Sequence, residues 1–197
     1  MKERMTKSIK LRMLTVLLAL LLIFGVNAGM SGVTNNQVEL STKLLSDYTI
    51  AMLQEEKQLE ENMGIVNDCA LNSMVQRQAS ADVVLEMKEA IGNMQSTADT
   101  LQEDVTKFAT AEMNDALSKA YEPYYGALSA YVTQATAVME AMERNQMKDV
   151  QKEYQTLNSV VQSLEEQEAT FTSTLDQLIA HEAELVGIRV RRATMIT

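Results

Sequence analysis

Alternating steps of three and four residues along this chain land on apolar side chains for long stretches, the pattern of helices that pack lengthwise against neighbours. From Val84 the steps reach Met87, Ile91, Met94, Ala98, Leu101, Val105 and Phe108 without meeting a polar residue. From Leu117 they reach Tyr121, Tyr124, Leu128, Tyr131, Ala135, Val138 and Met142, again unbroken. A third seam runs from Leu157 through Val161, Leu164, Phe171, Leu175, Leu178 and Leu185, with Glu168 and Glu182 as acidic exceptions. The earliest seam is rougher. Val38, Leu45, Tyr48, Met52, Leu59, Val66 and Cys69 fit it, while Ser41, Glu55 and Asn62 interrupt.

These seams predict four helices, at 31–76, 82–108, 114–143 and 147–190. Ser80 and Asp82 can cap the second helix, and Thr110 or Asn114 the third. Pro123 lies inside the third seam, where it should either kink that helix or mark its true first turn. Arg144-Asn145-Gln146-Met147 reads as the last turn. The fold class that follows is all-α, an antiparallel up-down four-helix bundle behind an N-terminal transmembrane helix. A long, short, short, long order of helices puts both long ends at one pole, with the tip about 65–70 Å away.

The span is predicted from Met13 to Met30, where no residue is charged. As a helix it reaches about 27 Å, near the thickness of a bilayer's hydrocarbon core. Residues 1–12 carry five basic side chains and only Glu3, which favours a cytoplasmic N-terminus with the next domain outside. A cleaved signal peptide ending near Ala28 is the competing reading. The domains are then 1–12 cytoplasmic, 13–30 membrane, 31–188 an extracytoplasmic sensor bundle, and 189–197 the start of a second membrane segment.

Composition supports helices and removes whole function classes. One Pro and seven Gly are too few turn formers for a sandwich or a doubly wound sheet. One Cys and one His exclude a disulfide framework and a Cys/His zinc site, so neither metal nor cofactor is expected. No phosphate loop, His-Glu-x-x-His or nucleophile elbow occurs, and no enzymatic activity is expected. Residues 31–188 hold 26 acidic and 9 basic side chains, which argues against nucleic acid as a partner.

Four of those nine cations, Arg77, Arg144, Lys148 and Lys152, map to the predicted distal end, where the first and third turns meet. Together they can attract a carboxylate, with Arg77 gripping it through two N–H bonds. Gln76, Gln78 and Gln151 add neutral hydrogen bonds for an amino or amide group. The bland alternative is a set of ordinary surface charges at helix ends. Cys69 reads as a small buried hydrophobe. The tyrosines of the third seam read as core with their hydroxyls at an edge, and His181 carries no assigned role.

The spacing of helices, the Tyr121-Glu-Pro-Tyr124-Tyr125-Gly-Ala-Leu128 segment, the turn at Arg144–Lys148 and Arg189-Val-Arg191-Arg192-Ala resemble one family. It is the four-helix-bundle ligand-binding region of bacterial methyl-accepting chemotaxis receptors, of the aspartate receptor type. The resemblance implies a ligand-sensing, membrane-embedded homodimer that binds a small solute or a ligand-loaded binding protein and signals through its fourth helix to a cytoplasmic module. The cation cluster points to an anionic solute. Rival readings are the sensor region of a membrane histidine kinase or a cyclic-dinucleotide enzyme, a secreted helical structural or adhesive protein, and a membrane-tethered enzyme.

Overall fold

The computed structural model describes residues 44–112 and 115–194. Every regular element among them is helical, and none is a strand. A π-helical lead-in, Leu44–Thr49, runs into α1 (Ile50–Gln76). Then follow α2 (Ala81–Glu112), α3 (Ala116–Glu143) and α4 (Met147–Thr194). No helix among the described residues is long and apolar enough to cross a membrane. The predicted span at Met13–Met30, and the predicted start of the first helix at Ser31, lie outside them.

The predicted boundaries at 76, 143 and 147 coincide with the observed ones. Ser80 caps α2 as expected, its Oγ accepting the Val83 N–H at 3.3 Å. Of the two caps predicted for α3, Asn114 lies outside the described residues and Thr110 is corrected. Thr110 lies inside α2, which continues past 108 because Ala109, Ala111 and Glu112 all favour helix. Asp115 occupies the position before α3, and its carboxylate bonds Lys119 one turn on at 2.7 Å. That bond holds the Asp115 carboxyl below its usual pKa. Pro123 does not open α3; it sits in the third turn on the exposed face, and having no N–H it leaves the Lys119 carbonyl without its usual helical donor.

The apolar seams become one shared core. All eight seam positions of α3 are buried, and seven of the eight on α2, with Val84 half-buried. On α4, Leu157, Leu164, Phe171 and Leu175 are buried, whereas Val161 and Leu178 are partly covered. On α1, Met52, Leu59, Val66 and Cys69 are buried, and so is Glu55, although it breaks the seam chemically. Neighbours in sequence pack closely, α1 on α2, α2 on α3 and α3 on α4. The contact of α1 with α4 is narrower, and α2 and α4 have no close backbone approach among the described residues.

An aromatic knot locks α3 to α4. Tyr124 stacks on Phe171 with centroids 5.4 Å apart, and Tyr121 meets the same ring edge-on at 5.3 Å. The Tyr121 hydroxyl donates to the Ala98 carbonyl at 2.7 Å, and Tyr125 donates to Asp99 at 3.0 Å, so α2 joins the knot. Buried rings of this kind contribute area and paired geometry together. Replacing Phe171 with Ala is expected to cost about 3–5 kcal/mol through the cavity left beneath Tyr124. Urea unfolding followed by far-ultraviolet circular dichroism checks it; an unchanged midpoint would remove the knot from the stability argument.

Candidate functional site: the cleft between α1 and α4

The helix ends that carry the predicted cation cluster are built by backbone geometry. At the end of α1 the Arg77 N–H donates to the Met74 carbonyl and the Gln78 N–H to the Ser73 carbonyl, at 3.3 and 3.2 Å. At the end of α3 the Asn145 and Gln146 N–H groups donate to Met142 and Ala141 in the same pattern, at 2.9 and 3.0 Å. Both are Schellman closures, which need a left-handed residue at their centre. Arg77 takes φ 57° and Asn145 φ 53° where glycine is the usual choice.

The Ala79 N–H then donates to Asn145 Oδ1 at 3.3 Å, joining the first and third turns at one end of the fold. The turns carrying Gln76, Arg77, Gln78 and Arg144 are thus brought together, with Lys148, Gln151 and Lys152 in the opening turns of α4. Every one of these side chains is exposed. Arg144 leans on Glu140 at 3.9 Å and Lys152 on Glu153 at 3.3 Å, pairs worth little in water.

A more enclosed site lies between α1 and α4, away from all six predicted residues. The cleft has a volume of about 400 Å³, within the range of small-molecule pockets. Helical spacing explains its walls. Met63, Gly64 and Asn67 share a face of α1, while Leu157, Val161 and Leu164 follow one stripe of α4. Tyr131 of α3 closes the floor, its hydroxyl donating to the Met63 carbonyl at 3.5 Å. Gly64 lacks a side chain, and a Cβ built there meets no atom within 4 Å, so space is left open against α4.

Around this apolar floor stand Glu60, Asp68, Glu165 and Glu168, with no Lys or Arg among the lining residues. Asn67 is oriented by the Tyr154 hydroxyl, which donates to its Oδ1 and ties α1 to α4 beside the cleft. Burial pushes the Tyr131 and Tyr154 hydroxyls to higher pKa, so both remain protonated donors at neutral pH. Gln134 donates to the Glu153 carbonyl and carboxylate at 3.0 and 2.9 Å, steadying α4 on α3 near the same end. The chemistry on offer is apolar contact and hydrogen-bond acceptance. Among the described residues no group of three or more His, Cys, Asp or Glu is placed to hold a metal ion.

Sequence reasoning did not find this cleft. Its signals were Gly64 in the middle of a helix and Glu168 on an apolar seam, but pairing α1 with α4 requires the tertiary arrangement. The clustering of cations instead pointed to the exposed turns. Two further buried groups sit on α1. Cys69 is packed in the core, and burial first, then Glu86, raises its thiol to about 11, so it stays protonated and inert. Glu55 is only 9 % exposed, and burial, with Asp104 adding to it and Lys107 opposing, raises its carboxyl from 4.5 to about 7.

Comparison with family models, curated proteins and solved structures yields no match.

Because Glu55 binds its proton more tightly folded than unfolded, its contribution to stability is fully present below pH 4.5 and lost as pH rises through about 7. Glu55→Gln is expected to flatten that part of the stability–pH curve, a difference on the order of 2 kcal/mol. Urea midpoints across the range decide it, and parallel curves for both proteins would refute it. Arg77→Gly relieves the left-handed strain and is expected to stabilise by about 0.5–1 kcal/mol. A lower thermal midpoint in that variant would show that the Arg77 side chain makes contacts that outweigh its backbone strain.

Proposed function

We propose that this chain is the ligand-sensing region of a transmembrane chemoreceptor. Its four helices form an antiparallel up-down bundle that receives a small solute in the α1–α4 cleft and relays occupancy along α4. The observation that carries the reading is α4 itself, 48 residues without a break, about 72 Å of rod. One face of that rod is fixed to α3 through the aromatic knot, and another borders the open cleft. A solute entering the cleft touches the first and last helices together, the two that lead towards the predicted membrane segments.

Antiparallel order is supported by the cross-helix pairs. Thr97 donates to Gln58 at 3.5 Å, Tyr121 reaches back to Ala98, and Gln134 reaches forward to Glu153. The Gln58–Thr97 and Gln134–Glu153 pairs are nearly symmetric about the turns that join their helices. The reading carries with it a homodimer held in the cell membrane by Met13–Met30, with the bundle extracytoplasmic and a signalling module after Thr197. A sensor region of a histidine kinase shares the same outer architecture. An anionic solute held at the Arg77–Arg144 end is a second reading, favoured by the left-handed Arg77, since backbone strain concentrates at functional positions.

A chimera tests the proposal without knowledge of the solute. Residues 1–197 are joined to the second span and kinase-control module of an aspartate-type chemoreceptor, and Gly64→Trp is introduced to fill the cleft. The substitution favours helix and is expected to leave folding intact by circular dichroism. Kinase output that differs between the open and filled forms supports the relay; equal output with both proteins folded and inserted overturns it.

A further inference from the structure

On the opposite side of α1 from the cleft, two adjoining recesses run between α1 and α2. They measure about 290 and about 430 Å³ and share Gln58, Ser96 and Thr97. Their walls are amides and hydroxyls with small side chains between them, and Glu55 lines the smaller one. Glu55 is only 9 % exposed; Oε1 is the carboxylate oxygen that a donor entering the recess can meet, whereas Oε2 is closed to water without a hydrogen-bond partner among the described residues. A carboxylate oxygen in that state is costly unless something donates to it.

We propose that this α1–α2 groove is a second binding site, separate from the cleft, that takes a small protonated primary amine with its ammonium group on Glu55. The groups around Glu55 favour that ligand. Asp104 of α2 adds negative potential, and the Tyr121 hydroxyl of α3 is committed to the Ala98 carbonyl. Lys107, the cation that faces Glu55, is held at the surface by Asp104 and Glu103 at 3.1 and 3.4 Å. An ammonium group brings three N–H donors, and charge-assisted bonds to a carboxylate are roughly twice as strong as neutral ones. The Gln58 side-chain oxygen, which receives only a long bond from Thr97 at 3.5 Å, is a second acceptor in the same groove.

Only the ionised carboxyl accepts the ammonium, so amine binding and proton binding at Glu55 compete. With the Glu55 carboxyl raised to about 7, affinity falls tenfold for each pH unit below that value. A quaternary ammonium has no N–H to donate, and its methyl groups hold its charge farther from the carboxylate, so its attraction is weaker.

The test is carbon-13 NMR of the Glu55 carboxyl in the full 197-residue chain, held in uncharged detergent micelles. The pH titration is run with methylammonium chloride and with tetramethylammonium chloride at equal ionic strength, the resonance being identified by its loss in Glu55→Gln. Methylammonium is expected to lower the Glu55 midpoint, with binding that weakens tenfold per pH unit on the acid side, while tetramethylammonium displaces it less. Ser96→Leu, which closes the groove from its exposed rim, is expected to abolish the displacement without changing the circular dichroism spectrum. Equal displacement by the two salts, no displacement by either, or an undiminished response in Ser96→Leu would each overturn the proposal.

Discussion

Burial of the seam shared by α2 and α3 is the constraint on which the rest of the structure depends. Both seams are apolar at every step, and they meet α4 through the rings of Tyr121, Tyr124 and Phe171. Those rings fill space that no rotamer change can refill, because protein interiors pack like organic crystals. The Tyr121 and Tyr125 hydroxyls donate to acceptors on α2 at 2.7 and 3.0 Å, which ties the knot to that helix. Three helices thereby acquire a fixed relation, and the fourth is laid against them.

That fourth element, α1, is where the compromises collect. Its seam carries Glu55 and Asn62, its interior holds Gly64, and its terminal closure is made by Arg77 rather than glycine. Thr49 and Ser73 also bury hydroxyl oxygens without partners among the described residues. Gly64 borders open space against α4, and Glu55 and Asn62 border it against α2. The cleft against α4 and the groove against α2 are these two spaces. Binding surface comes from an imperfect helix held by three well-packed ones.

The acidic character of the chain gains a location in the fold. Four carboxylates surround the α1–α4 cleft, and Glu55 faces the α1–α2 groove close to Asp104. Negative potential in recesses with apolar or neutral walls acts through a lower effective dielectric than at an open surface, so cations respond to it most strongly there. The exposed cations near the first and third turns work in water, where salt screens them and neighbouring glutamates already engage Arg144 and Lys152.

The number, order and approximate ends of the helices were legible in the sequence because apolar periodicity is a local property. The unbroken step from Leu117 to Met142 could be buried only as a helix, and Ser80 marked the start of α2 by chemistry alone. That Thr110 would stay inside α2 was not legible, since threonine satisfies the local rule for a cap and the helix simply runs past it. Whether Glu55 pointed to water or to the core was likewise undecidable from spacing, because a carboxylate at a seam position can be tolerated only by what the other helices place beside it. Sequence periodicity determined which faces had to be hidden. Tertiary structure decided where hiding them left room for a solute, because a cleft belongs to two helices at once and no single stretch of chain encodes its width.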